Sequence, residues 1–164
     1  MFDEFLTANA DYASRFTHGS LTARARKGLC IVTCMDTRID PLAILGMAVG
    51  DAKVLRNAGG RVTPDVLRSL VLATNLLGVG GVAVMHHTGC ALAGPDDSQV
   101  SESLPAEQRR ATSDWVWWSM PDLDAALADD VAAVRSCAGL APGVAVEGWR
   151  YDVQTGRVSR VITA

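Results

Sequence analysis

The sequence predicts an α/β fold, a mainly parallel sheet flanked by helices with one antiparallel strand at its C-terminal edge. Three observations predict it. Short apolar runs at 29–33, 52–56 and 81–86 have the character of strands buried in a parallel sheet. Stretches of helical character separate them, as in alternating βα units. Two last strand-like segments flank Thr155-Gly156, the pattern of a hairpin. The expected strand order is 2-1-3-4 with the final strand beside the fourth, in one domain spanning residues 1–164.

Each element has its own reason. Phe2, Phe5, Leu6, Tyr12, Ala13 and Phe16 recur at roughly helical spacing, which predicts an amphipathic helix over 2–16 ending near Gly19. Leu29 to Thr33 is the first strand. Asp40-Pro41 reads as an N-cap followed by proline at the first helical position, and Gly46 or Gly50 closes that short helix. Ala52 to Arg56 is the second strand. Asn57-Ala58-Gly59-Gly60 follows as a loop whose glycines permit positive φ. Thr63-Pro64-Asp65 opens a helix with Val66, Leu67, Leu70, Val71, Thr74 and Leu77 on its inner side, closed by Gly78. Gly81 to His86 is the third strand. Residues 93–113 read as a surface excursion, and 121–138 as a helix begun by Pro121-Asp122. Val144 to Val153 and Val158 to Ile162 complete the sheet.

Composition narrows the function. The 164 residues are 49% hydrophobic and 20% charged with a net charge of −3, ordinary for a soluble globular chain and without the basic stripe of a nucleic-acid binder. No apolar run is long enough to span a bilayer, and the N-terminal residues do not resemble a signal peptide, so the cytoplasm is the expected address. In that reducing compartment four cysteines point to metal binding or burial rather than disulfides. Cys30 and Cys137 are expected in the core, as are the tryptophans at 115, 117 and 118, which could also serve as interface anchors or gate a pocket.

The chemistry concentrates at two segments. Cys34-Met35-Asp36-Thr37-Arg38 directly follows strand one, and His87-Thr88-Gly89-Cys90 directly follows strand three. Both therefore lie at the carboxyl edge of the sheet, where open parallel sheets bind ligands at a reversal of strand order. Cys34, His87 and Cys90 offer three corners of the tetrahedral nitrogen–sulfur environment zinc prefers, and no fourth Cys or His lies near. Alternation along an extended chain would put Cys34, Asp36 and Arg38 on one side, with Arg38 gripping Asp36 and holding it ionised. His86 should point away from His87 in a structural role. The 57–60 loop lacks a phosphate-binding fingerprint and reads as a turn bordering the pocket.

Cys-x-Asp-x-Arg at 34–38, Arg56-Asn57-Ala58-Gly59-Gly60, and His-x-x-Cys at 87–90 together resemble the β-class carbonic anhydrases over residues 29–91, with weaker similarity along most of the chain. The resemblance implies Zn2+ on Cys34, His87 and Cys90, with Asp36 and Arg38 as the catalytic dyad. It implies reversible hydration of carbon dioxide to bicarbonate and a proton, and an Asp36 able to swing onto the zinc as a fourth ligand in a closed state. It also implies a homodimer or homotetramer whose N-terminal helix lies on a partner. Ala91 stands where the family usually has glycine, and 93–118 matches no familiar segment. Relatives with the same ligands hydrolyse carbonyl sulfide or carbon disulfide, which is the alternative activity. A zinc-stabilised binding protein without turnover is a rival from another class. A thiol redox module is weaker, since no Cys-x-x-Cys occurs.

Overall fold

The computed structural model describes residues 2–164. Its five strands are β1 (Leu29–Cys34), β2 (Ala52–Asn57), β3 (Gly81–His87), β4 (Ala145–Tyr151) and β5 (Val158–Ile162). They lie in the order β2-β1-β3-β4-β5. The first four are parallel neighbours and β5 runs antiparallel to β4. The expected order and edge strand are both present.

The helices are α1 (Asp3–Ser14), α2 (Pro41–Ile44), α3 (Pro64–Leu76), α4 (Asp97–Glu102), α5 (Ala106–Ala111) and α6 (Leu123–Arg135). Local chemistry fixes their starts. The Asp40 side chain accepts from the Ala43 N–H at the head of α2, and Asp122 accepts from Asp124 and Ala125 at the head of α6. Proline opens α3, where a missing N–H costs nothing. The 93–113 excursion contains two short helices rather than loop alone. Asp96 and Gln99 form a reciprocal capping box on α4, which helps make a six-residue, mostly polar stretch helical.

Strand alternation divides the apolar side chains between two faces. Cys30 and Val32 of β1, Val82 and Val84 of β3 and Val146 of β4 meet Val66 and Leu70 of α3 and Leu127, Val131 and Val134 of α6. Leu70 is fully buried there, and its truncation to alanine would cost about 2–5 kcal/mol. On the other face Ile31, Met85 and Tyr151 pack with Ile39, Cys90 and Met120. This second cluster lies against the segments that follow β1 and β3.

Two expectations about burial need correction. Cys137 is only partly buried, because α6 ends at Arg135 and the chain turns outward there. The tryptophans are not core: Trp115 is 64% exposed and Trp118 37%, since their segment rides on the outside of the excursion. Helix α1 is the extreme case. It forms as its spacing predicts, yet none of its residues is buried by this chain.

Candidate metal centre

β1 and β3 are hydrogen-bonded neighbours with Thr33 level with Met85, so Cys34 and His87 both emerge at the same sheet edge. A turn after β3 then brings Cys90 back. The metal-binding atoms of Cys34, His87 and Cys90 lie within 4.8 Å of one another, and all three residues are buried. Among the described residues this is the one such donor cluster.

The close approach of the next loop depends on glycine. Ala58–Gly60 form a kinked turn packed against the end of β1, with Gly59 at a φ of +76°. A Cβ on Gly60 would sit 2.8 Å from the Cys34 nitrogen, and its φ of +71° also disfavours a side chain. Arg56, at the end of β2, donates from Nε to the Cys34 carbonyl (2.9 Å) and from Nη2 to the Asp36 carbonyl (2.7 Å). The backbone on both sides of Met35 is thereby clamped.

Residues 34–38 do not continue as extended chain. Ile39 donates its N–H to the Asp36 carbonyl, and the Arg38 N–H donates to Asp36 Oδ1 at 2.9 Å. A short aspartate side chain competes well for a nearby backbone donor, and the segment turns. The turn nevertheless brings the dyad together. Arg38 donates from Nε to Asp36 Oδ1 (2.9 Å) and from Nη2 to Asp36 Oδ2 (2.6 Å), and Nη2 also reaches the Gly89 carbonyl at 2.9 Å. Arg38 thus joins the loop after β1 to the loop after β3. Its guanidinium beside Asp36 holds that carboxyl far below the ordinary carboxylate range. Asp36 Oδ2 lies 3.9 Å from His87 Nε2, at the edge of the donor cluster.

The donors themselves fit a soft divalent cation. His87 Nδ1 lies 2.9 Å from the Thr88 carbonyl and donates to it, which leaves the Nε2 lone pair free. Nε2 is buried and has no hydrogen-bond partner in the protein. The Cys34 thiol is lowered, first of all by a hydrogen bond from Cys90, and that same contact together with burial raises Cys90. Two sulfurs crowded so that only one ionises readily, beside an imidazole nitrogen with nothing to bind, form a set that a cation such as Zn2+ would complete. A cavity of about 380 Å³ opens over the cluster, lined by Cys34, Asp36, Arg38 and Cys90 on its polar side and by Met35, Ala58, Gly59, Ala91 and Leu92 on its apolar side. None of the three clustered tryptophans lines it.

A second polar cluster lies across the sheet. His86 Nε2 is 3.0 Å from Asp130 Oδ2, and Arg61 donates from Nε to the same oxygen at 2.7 Å. Burial pushes the Asp130 carboxyl up, but the bonds from His86 and Arg61 outweigh it and the net direction is down. Neither Asp130 nor Arg61 stands out by motif. The signal available was a carboxylate inside the apolar stripe Ala126, Leu127, Val131, Val134 of α6.

Comparison with known proteins agrees with this geometry. The family described as carbonic anhydrase matches residues 29–130. The chain is 33% identical to a protein named β-carbonic anhydrase 1 from Mycobacterium tuberculosis over 97% of its own length and 96% of the relative's. It is 29% identical to a carbon disulfide hydrolase of Saccharolobus solfataricus, covering 96% of this chain and 87% of that one. The crystal structure of a carbonic anhydrase from Streptococcus mutans superposes with a TM-score of 0.90 at 36% identity, covering 98% and 96% of the two chains.

Proposed function

The chain belongs to the β-class carbonic anhydrase family, and from that premise we propose that it catalyses the reversible hydration of carbon dioxide to bicarbonate and a proton. It is a zinc enzyme, with Cys34, His87 and Cys90 as the residues that would hold the metal. The observation that carries the reading is the convergence of these three donors, with an unpartnered His87 Nε2, beside an arginine-locked Asp36.

When bound, zinc supplies Lewis acidity that favours deprotonation of water; a pKa near 7 is known for carbonic anhydrases that hold the metal by three histidines. The chain's own residues do the rest. Asp36, kept ionised by Arg38, accepts a hydrogen bond from the attacking water and turns its lone pair toward the carbon of carbon dioxide. Arg38 keeps that carboxylate aimed through its second anchor at the Gly89 carbonyl. The apolar side of the cavity, Met35, Ala58, Ala91 and Leu92, receives an uncharged linear substrate. The same turn of Asp36 that frees it from Arg38 would let it reach the metal and close the site.

Stopped-flow hydration of carbon dioxide by zinc-loaded protein, paired with metal analysis, tests the reading. Stoichiometric zinc and a rate abolished in Cys34→Ser support it; zinc without turnover would favour a metal-stabilised binding protein. A second activity, hydrolysis of carbon disulfide or carbonyl sulfide, is favoured by the relatives of that name and by the apolar cavity wall. Rapid sulfide release with a negligible carbon dioxide rate would put it first.

The same reading takes the chain as one domain that works as a homodimer at least. Phe2, Phe5, Leu6, Tyr12 and Phe16 stay 49–75% exposed, an apolar helix face of the kind a partner subunit covers. Phe5→Glu with Leu6→Glu should yield monomers by light scattering, and an unchanged mass would reject this role for α1. No helix among the described residues is long and apolar enough to cross a membrane, and thiol ligands suit a reducing cytoplasm.

A further inference from the structure

The cavity's apolar wall belongs partly to a segment that the sequence does not tie to any chemistry. Leu92 lines the cavity, and it is held from behind by Met120: the Met120 N–H donates to the Leu92 carbonyl at 2.8 Å, and Ala93 bridges to Met120. Residues 93–120 therefore leave the body at the cavity rim and return to it at the same place.

Two polar anchors hold the returning strand of that excursion. Asp97, at the start of α4, accepts from the backbone N–H groups of Trp117 and Ser119, both at 2.9 Å, and from the Ser119 hydroxyl. This anchor ties the excursion to itself. The other ties it to the body. Arg61 Nη1 donates to the carbonyls of Trp118 (2.9 Å) and Ser119 (3.0 Å), and its guanidinium carbon lies 5.9 Å from the Trp118 ring centre. Trp118 takes a φ of +57°, a conformation that a residue with a bulky side chain rarely adopts without an external constraint.

Arg61 is itself immobilised. Its Nε and Nη2 both donate to Asp130, whose carboxylate also accepts the Val62 N–H at 3.1 Å and pairs with His86. Both partners are buried, with side chains 8% and 3% exposed. Arg61 also packs around Gly59, one of the residues lining the cavity: a Cβ built on Gly59 would meet Met120 Cε at 3.2 Å, Arg61 Cγ at 3.3 Å and Leu92 Cδ1 at 3.4 Å.

We propose that Arg61 is a positioning residue for substrate access: anchored by Asp130, its guanidinium holds the Trp118 and Ser119 carbonyls and so fixes the Leu92–Met120 wall over the metal centre. The planar fork is essential, because one group must serve a carboxylate on one edge and two carbonyls on the other. Lysine would keep the charge beside Asp130 but cannot span both sides. The wall contributes contact to the substrate in ground and transition states alike, so its loosening raises KM and leaves kcat in place.

The test is Arg61→Lys in the zinc-loaded protein, read in three ways. Zinc content should equal that of wild type. Amide hydrogen exchange should speed up about tenfold in residues 92–94 and 117–120, with 87–90 unchanged. The KM for carbon dioxide should rise about fivefold with kcat held within about twofold. Folded Arg61→Lys with unchanged exchange in 117–120, or with unchanged KM, overturns the proposal. Should that variant not fold, Arg61→Gln, which keeps a donor at the end of the side chain but not the fork, takes its place, and unchanged exchange in 117–120 or an unchanged KM there overturns it equally. The kinetic arm rests on the carbonic anhydrase reading. Wild type that lacks carbon dioxide hydration would refute that reading, while the exchange arm still decides whether Arg61 holds the wall.

Discussion

His86 and His87 stand side by side on β3 and face opposite sides of the sheet. Each is fully buried, and each leaves one ring nitrogen without a protein partner, Nδ1 in His86 and Nε2 in His87. Their surroundings separate them. His86 Nε2 meets a carboxylate already satisfied by an arginine and a backbone N–H, so the charges on that side balance within the protein. His87 meets two thiols that compete for one negative charge, and its free nitrogen points to a cluster that needs a cation. Burial of a polar ring is therefore no guide to function; what matters is whether the neighbouring groups complete one another or are left wanting a further partner.

The sharpest way to break the comparison is to exchange the fates of the two clusters by mutation. His87→Ala should remove zinc and lower carbon dioxide hydration by about 10³-fold or more, with the thermal midpoint of the zinc-free protein little changed. Asp130→Asn should do the reverse. It strands Arg61 without its full counter-charge, and denaturant titration should show a loss of about 3 kcal/mol, while the folded fraction still binds stoichiometric zinc. Equal loss of stability in both variants would erase the distinction.

A subtler variant probes the border between the regions. Asp36→Asn keeps the shape of the dyad but loses the carboxylate, so kcat should fall about 10²-fold with zinc retained, measured by stopped flow and metal analysis. The smallest effect is a response to acid. The Asp130 carboxyl is held below its ordinary value in the folded chain, so the unfolded chain binds more protons in acid. Its contribution to stability is complete above the unfolded value of about 4 and is lost as pH falls through the lower folded value. Denaturant midpoints measured from pH 6 to pH 3 should drop for wild type more than for Asp130→Asn.

The strand runs, the Asp40 cap on α2 and the β4–β5 hairpin were legible because each shows in the pattern of a few consecutive residues, whereas the helix begun by Pro121-Asp122 starts at Leu123 with Asp122 as its cap. The metal donors were legible for another reason: both segments follow a strand directly, so topology put them at one edge. The 34–38 turn was misread as extended because alternation was carried past the end of β1, where Asp36 captures the Arg38 N–H instead. Of the two roles weighed for the tryptophans, core or interface anchor, burial in the core fails because side-chain size says nothing about which segment reaches the interior.

By itself the sequence determined the periodicities, the caps, the charge balance and which chemical groups were on offer, since these belong to residues and their near neighbours. Only the tertiary structure decided which groups meet. Asp130 is far along the chain from both Arg61 and His86, and the three come together because α6 packs on the face of the sheet to which His86 points. Such meetings depend on which faces of distant elements touch, and no local pattern encodes that.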